Sequence, residues 1–251
     1  MDELAGRGLL PAEITAAFLV GSRARGWDSS TSDVDIYLVS PHGWESPSSS
    51  NDHLPLDPPE VQAESFVVDG TPWEVRYWRE SQVSQMLEKV SWERFDAGSA
   101  VGRLLNQYEE KFIDRLFTCV PVTGTEWVAE QKEIVESSAF RSFLVADSLN
   151  IADDYVEDAL GQLASGDVES ALLATRLAFG GSVDAVLASA GEYGRVPKWR
   201  ARRFRSIHSE LLSFDEYWSI ETMRTFEERS PHKWVLDVLH LCKRISIEVD
   251  V

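Results

Sequence analysis

The chain has 251 residues, room for one large domain or two smaller ones at roughly 100–200 residues per domain. Its 43% hydrophobic and 26% charged residues exclude a wholly disordered or fibrous chain. Forty-two Asp and Glu against 24 Lys and Arg give a net charge of −18, which argues against non-specific nucleic-acid binding but leaves room for one local basic pocket. Cys119 and Cys242 lie far apart and match no metal spacing or disulfide framework. No apolar run approaches the roughly 18 residues of a membrane span, and residues 1–22 lack the basic start of a signal peptide. The expected location is the cytoplasm, without a membrane or nucleic-acid partner.

In chain order, residues 14–20 (ITAAFLV) form a continuous apolar run that ends at Gly21-Ser22, as a buried strand would. Residues 33–39 (DVDIYLV) alternate: Asp33, Asp35 and Tyr37 share one face, Val34, Ile36 and Leu38 the other. Residues 40–60 are rich in Pro, Ser and Asp and read as a mobile surface loop. Residues 65–78 (SFVVDGTPWEVRYW) place Asp69-Gly70 between two apolar runs, a hairpin signal. Helical pattern dominates from 80 to about 117, with a break near 96–98, and residues 119–124 (CVPVTG) read as a short strand and a turn.

After residue 127 strand alternation stops. Residues 128–164 carry one long helical pattern and 168–190 a second, and Gly191, Gly194 and Pro197 then break the chain. Further helices are expected at about 198–213, 214–228 and 231–248, with Pro231 in a first-turn position. The expected architecture is an α/β domain with a mixed sheet over 1–126, followed by an all-α helical bundle over 127–251.

The chemistry-bearing stretch is FLVGSRARGWDSSTSDVDIYLV, residues 18–39. A strand ending in Gly21-Ser22 leads into a short helical turn whose free N–H groups face an anion. Gly21 lets the backbone approach a phosphate, and Ser22 adds a hydroxyl donor. Asp33 and Asp35, at i and i+2 on a strand, project from one face and suit a hard, oxygen-seeking cation such as Mg²⁺. A third carboxylate from a neighbouring strand would complete the set. Glu74, in mid-strand, is the first candidate; Asp69 is the rival, better explained by its turn.

This pattern resembles the DNA polymerase β-type nucleotidyltransferase superfamily: strand, Gly-Ser, short helix, Asp-x-Asp on the next strand, then a later acid. It falls on Gly21, Ser22, Asp33, Asp35 and Glu74. The helical second half looks like the small-molecule branch, which includes the aminoglycoside nucleotidyltransferases. The resemblance implies a catalytic sheet domain and a helical substrate-binding domain with the substrate cleft between them. It also implies two Mg²⁺ ions held by Asp33, Asp35 and Glu74, and ATP as donor. Arg25 matches a position that often contacts phosphate, with a surface pair to Asp28 as its alternative. Ser32 is equally readable as a phosphate contact or a turn cap.

Four further features have two readings each. In the basic block 195–205 (RVPKWRARRFR), Lys198 either reaches the triphosphate or belongs to a solvated helix face. On the first reading, Lys198→Ala weakens nucleotide binding by roughly 1.5–3 kcal/mol, measurable by calorimetry; unchanged affinity returns it to the surface. Arg203 with His208 fits a loose Arg-x4-His ribonuclease pattern, and Arg202 fits a one-residue-longer version, matches that four arginines in six positions make almost unavoidable. On helix 128–164, Val145, Leu149, Ala152, Val156 and Leu163 form the expected core stripe. Phe140, Phe143, Asp147, Asp154 and Asp158 lie on the other side, as a cationic-acceptor face or an ordinary solvated one. Trp27, Trp78 and Trp199 are candidates to line a cleft, with a core or interface position as the alternative.

The first functional reading is a nucleotidyltransferase moving AMP from ATP to a hydroxyl of a small molecule, of the aminoglycoside-like or related metabolite class, by a monomer or homodimer. Two others keep the fold: an antitoxin-like enzyme that nucleotidylates a partner protein, and a nucleotide sensor without activity.

Overall fold

The computed structural model describes residues 1–45, 48–98 and 105–251. The chain clusters into two compact units, Met1–Ala139 and Phe140–Val251.

The first unit contains every strand among the described residues: β1 (Ala16–Val20), β2 (Val34–Ser40), β3 (Ser50–His53), β4 (Glu60–Val68), β5 (Thr71–Arg79) and β6 (Val120–Thr123). They form one sheet in the order β3-β4-β5-β2-β1-β6. Only β2 and β5 pair in parallel; every other neighbouring pair is antiparallel, so the sheet is mixed. Helices α1 (Asp2–Gly6), α2 (Gly21–Ala24), α3 (Glu80–Lys89), α4 (Trp92–Asp96), α5 (Gln107–Thr118) and α6 (Thr125–Ser137) accompany it.

The continuous apolar run of β1 is explained by its position between β2 and β6, where Ala16, Ala17, Phe18 and Val20 are buried. One face of the sheet buries Ala17, Ile36, Leu38, Val75 and Tyr77 against Leu4 of α1. The other is aromatic: Phe18, Trp78 and Phe112 of α5 surround Tyr37, and the Tyr37 and Phe112 rings stack at 5.7 Å. That contact sets α5 on the face that carries Asp35. Asp69 and Gly70 both adopt left-handed φ, 46° and 80°, the two-residue hairpin turn expected of Asp-Gly.

Three expectations need correction. The 40–60 segment is not a loop throughout. Ser50–His53 forms edge strand β3, and Leu54 and Leu56 are buried. Buried Gln82 donates to the carbonyls of Pro58 and Glu60, and Gln85 exchanges hydrogen bonds with the Asp57 backbone. An edge strand with a solvated rim reads as polar, and its glutamine anchors lie more than 20 residues downstream. Residues 46–47 of that segment fall outside the described residues. The helical pattern at 128–164 is two helices, because Ser138 turns to extended backbone (φ −82°, ψ 173°) and ends α6. The units therefore divide after Ala139 instead of at 126/127: α6 packs on β1, β6 and α5, and the Ala139 N–H bonds to Val90 O at 2.9 Å. Helical periodicity does not say which layer a helix joins.

The second unit holds α7 (Phe140–Ser165), α8 (Val168–Ser189), a 3-10 turn at Pro197–Trp199, α9 (Arg200–Ser206), α10 (Phe214–Glu221) and α11 (Pro231–Glu248). α7 and α8 join through Gly166-Asp167, and Asp167 caps α8 by accepting from the Ser170 N–H at 3.0 Å. The two helices approach closely at Gly181, where a methyl group would lie 3.0 Å from the Ala152 nitrogen and the Ser148 oxygen. α8 is long and apolar enough to cross a membrane by composition, but most of it is buried, packed on α7 and α11. α11 adds the stripe Trp234, Val235, Val238, Leu239, Cys242 and Ile245. Helices α9 and α10 end earlier than 213 and 228, while α11 starts at Pro231 as expected.

The buried stripe of α7 runs through Val145, Ser148, Ala152 and Ala159, with Leu149, Val156 and Leu163 half-buried. The rings of its aromatic side are not exposed. Phe140 and Phe143 are buried, Phe140 edge-on to Tyr193 at 5.0 Å. Asp147 pairs with Arg195, and Asp154 and Asp158 are exposed.

Candidate active site

The sheet brings two of the sequence-predicted acids face to face. Asp35 lies opposite Glu74 in the parallel β2–β5 register and opposite Val20 in the antiparallel β1–β2 register. Val20 immediately precedes Gly21, so the strand-to-turn junction and both carboxylates meet at one end of the central strands. Asp33 lies one residue before β2 on the same side of the alternation.

Gly21 answers to two constraints here. Its φ is +74°, in the left-handed region, and a Cβ on it would collide with Asp35 Oδ2. Gly21→Ala should lower stability by roughly 1–2 kcal/mol from backbone strain alone and push Asp35 out of place. Urea denaturation checks the first effect; unchanged stability would mean the turn relaxes without cost.

Asp35 is only 8% exposed. Arg115 of α5 donates from Nη2 to Asp35 Oδ2 at 3.4 Å and from Nη1 to the Tyr37 hydroxyl at 3.1 Å. Glu74 accepts from Arg76 Nε at 2.9 Å, and Arg76 also holds Asp52. Burial pushes the Asp35 carboxyl above the ordinary range; Arg115 opposes the shift, and the neighbouring Asp33 and Glu74 add to it. Repulsion from the two neighbouring acids is thus present at Asp35, but burial is the larger cause. Lys111, one turn from Arg115, is pushed down by burial and then by Arg115 and Arg76.

The raised Asp35 pKa sets a direction with pH. The native state keeps a proton on Asp35 above the ordinary value of 3.8, where the unfolded chain has lost it. Native protonation exceeding that of the unfolded chain makes stability fall as pH rises through the folded pKa. Without added divalent cation, thermal melts from about pH 3 to about pH 7 should therefore shift in favour of Asp35→Asn relative to wild type. A constant difference across that range would contradict it.

The remaining candidates are placed as follows. Ser22 sits in the single turn of α2, and its carbonyl accepts from the Trp27 N–H at 2.8 Å. Arg25 reaches across to Asp114 of α5 at 3.0 Å and lies over the Trp27 ring. It is Arg23, not Arg25, that faces Asp28, at 3.8 Å. Ser32 Oγ accepts from the Ser29 N–H at 2.9 Å and closes a local turn. Trp78 is a core residue packed at a tilt against Tyr37 and Phe112. In the second unit, Lys198 is exposed with its ammonium over the Trp199 ring, and Arg202 shares that ring. Arg203 is buried against Asp184, which removes it as the arginine of an exposed Arg-x4-His pair with His208.

Three residues went unnoticed in the sequence. Arg23 donates to the carbonyls of Ser32 and Asp33, both at 2.7 Å, and so fastens the segment leading into β2 onto α2. Arg115 and Lys111 come from α5, some 80 residues beyond Asp35 in the chain for Arg115. No local pattern marks them, since their spacing of four shows only that they share a helix face.

Among the described residues no three His, Cys, Asp or Glu side chains are arranged as a ready metal-ligand group. The donor chemistry nevertheless fits a hard divalent cation: Asp35 and Glu74 are opposite in register, Asp33 lies one residue before β2 on the same side, and guanidinium groups now balance Asp35 and Glu74.

Descriptions of known protein families give no match to this chain, and neither do curated proteins. Among solved structures, the chain is similar to a nucleotidyltransferase-like protein from Exiguobacterium sibiricum 255-15. The two share 11% identity over 97% of this chain and 72% of that one, with a TM-score of 0.53. At that identity the likeness shows the fold: this chain has a nucleotidyltransferase-like fold.

Proposed function

We propose that the protein is a divalent-cation-dependent nucleotidyltransferase. It moves a nucleoside monophosphate, AMP from ATP, to a hydroxyl of a small molecule of the aminoglycoside-like or related metabolite class, in the cytoplasm. The observation that carries this reading is the register: Asp35 faces Glu74 across β2–β5 beside the Gly21 turn.

Asp33, Asp35 and Glu74 would hold Mg²⁺, which when bound supplies charge neutralisation for the triphosphate and acidifies the acceptor hydroxyl. Gly21 keeps side-chain atoms clear of the turn, and the Ser22 hydroxyl is a donor for a phosphate oxygen. The acceptor oxygen attacks the α-phosphorus in line, a P–O bond forms, and the bond to the leaving pyrophosphate breaks. Glu74 is the residue suited to take the hydroxyl proton, because it is the more exposed carboxylate of the register pair. Buried Asp35 orients.

The test is transfer of label from α-³²P-ATP with Mg²⁺ to a panel of aminoglycosides and hydroxyl-bearing metabolites. A labelled small product is expected. Label appearing only on protein in cell extract would move the acceptor to a protein, and no transfer to anything would refute the activity.

A further inference from the structure

The acid that faces Glu74 already has a cation built against it. Arg115 has a side chain 13% exposed, and two of its five N–H donors are committed: one to Asp35 Oδ2, one to the Tyr37 hydroxyl. Its guanidinium carbon lies 5.4 Å from the centre of the Tyr37 ring. Tyr37 is itself buried and stacked on Phe112, one helical turn from Arg115 on α5. The guanidinium is thus held by a rigid aromatic platform and does not sweep solvent as a surface arginine would. The same oxygen, Oδ2, lies against Gly21, so it is fixed from two sides, while Oδ1 has no hydrogen-bond partner among the described residues. Arg76 on Glu74 is different in kind, because Asp52 shares it.

We infer that Arg115 is a positioning residue that acts as an internal counter-cation, competing with a divalent cation for Asp35. The inference rests on the metal-binding reading of the acids proposed above. A fixed positive charge 3.4 Å from a carboxylate oxygen repels an incoming cation, and the burial of both partners weakens the screening that would hide it. It also holds Asp35 in one orientation, so the protein alone captures divalent cations weakly.

The experiment is a Mn²⁺ titration of the full chain, followed by the EPR signal of the free ion, with folding checked by circular dichroism. Arg115→Gln should bind Mn²⁺ about tenfold more tightly than wild type, the scale of one charge-assisted contact that no longer competes. Arg115→Lys, which keeps the charge, should stay near wild type. Adding Asp35→Asn to Arg115→Gln should erase the gain. Equal or weaker binding by folded Arg115→Gln, or a gain that survives Asp35→Asn, overturns the inference. Should Arg115→Gln fail to fold, Arg115→Met, which fills a similar volume without a charge, should show the same gain in Mn²⁺ affinity, and no change overturns it. Absence of Mn²⁺ binding in every variant defeats the inference together with the metal reading. Tightened binding in a protein that transfers no label from ATP leaves the inference standing and retires the proposed activity.

Discussion

Asp35→Asn is expected to abolish nucleotidyl transfer while leaving the chain folded. The substitution keeps the side-chain shape that fits against Gly21 and removes the one carboxylate that both neighbours Glu74 and contacts Arg115. Loss of a preorganised electrostatic group at a reacting centre costs on the order of 10²–10³ in rate. Asp35 would be a ligand as well as a charge, so the loss should reach at least that range. The measurement is the initial rate of label transfer from ATP, with a thermal melt on the same sample. The pH argument above predicts a melt no worse than wild type at neutral pH. A variant that transfers at the wild-type rate removes Asp35 from the chemistry; one that loses both activity and fold would assign Asp35 a structural role only.

The second large effect is on stability and lies in the helical unit. Asp184 of α8 accepts two hydrogen bonds from Arg200, at 3.0 and 2.7 Å, and one from Arg203 at 3.2 Å. Arg203 is 2% exposed. Asp184→Ala removes the carboxylate that pairs with both guanidinium groups, one buried and one largely so. Breaking a buried ion pair by removing one partner typically costs about 3–5 kcal/mol. The basic block 195–205 is thus partly tied down: Arg195 goes to Asp147, Arg200 and Arg203 to Asp184, and Arg205, though exposed, lies over the Phe214 ring. Urea denaturation of the variant should show a loss of that size, and replacing all three members by apolar residues of similar volume should recover most of it. A loss under about 1 kcal/mol would show that water reaches the arginines and screens them.

Local pattern carried far in this chain. The apolar run before Gly21 is β1, the alternation over Asp33 to Val39 is β2, Asp69-Gly70 turns the β4–β5 hairpin, and Pro231 opens α11. Each of these depends on residues within a few positions of one another, where backbone sterics and side-chain periodicity act directly. The candidate acids were legible for the same reason, since Asp-x-Asp on a strand forces two carboxylates onto one face. Residues 40–60 misled because an edge strand needs little apolar pattern of its own; Gln82 and Gln85 secure that segment from α3.

What the sequence by itself determined is therefore the strands around the Gly-Ser turn, the β4–β5 hairpin and the start of α11, together with candidate acids on one strand face: Asp33 and Asp35, with Glu74 in a later strand. Tertiary structure alone decided that β5 pairs with β2 in parallel, which sets Glu74 opposite Asp35, and that α5 lies across the aromatic face, which brings Arg115 to the same carboxylate. It also decided that α6 belongs with the sheet and that Arg200 and Arg203 turn inward to Asp184. These outcomes depend on contacts between residues tens of positions apart. They follow from which apolar faces cover one another and which buried charges must find a partner, and no short-range pattern encodes either.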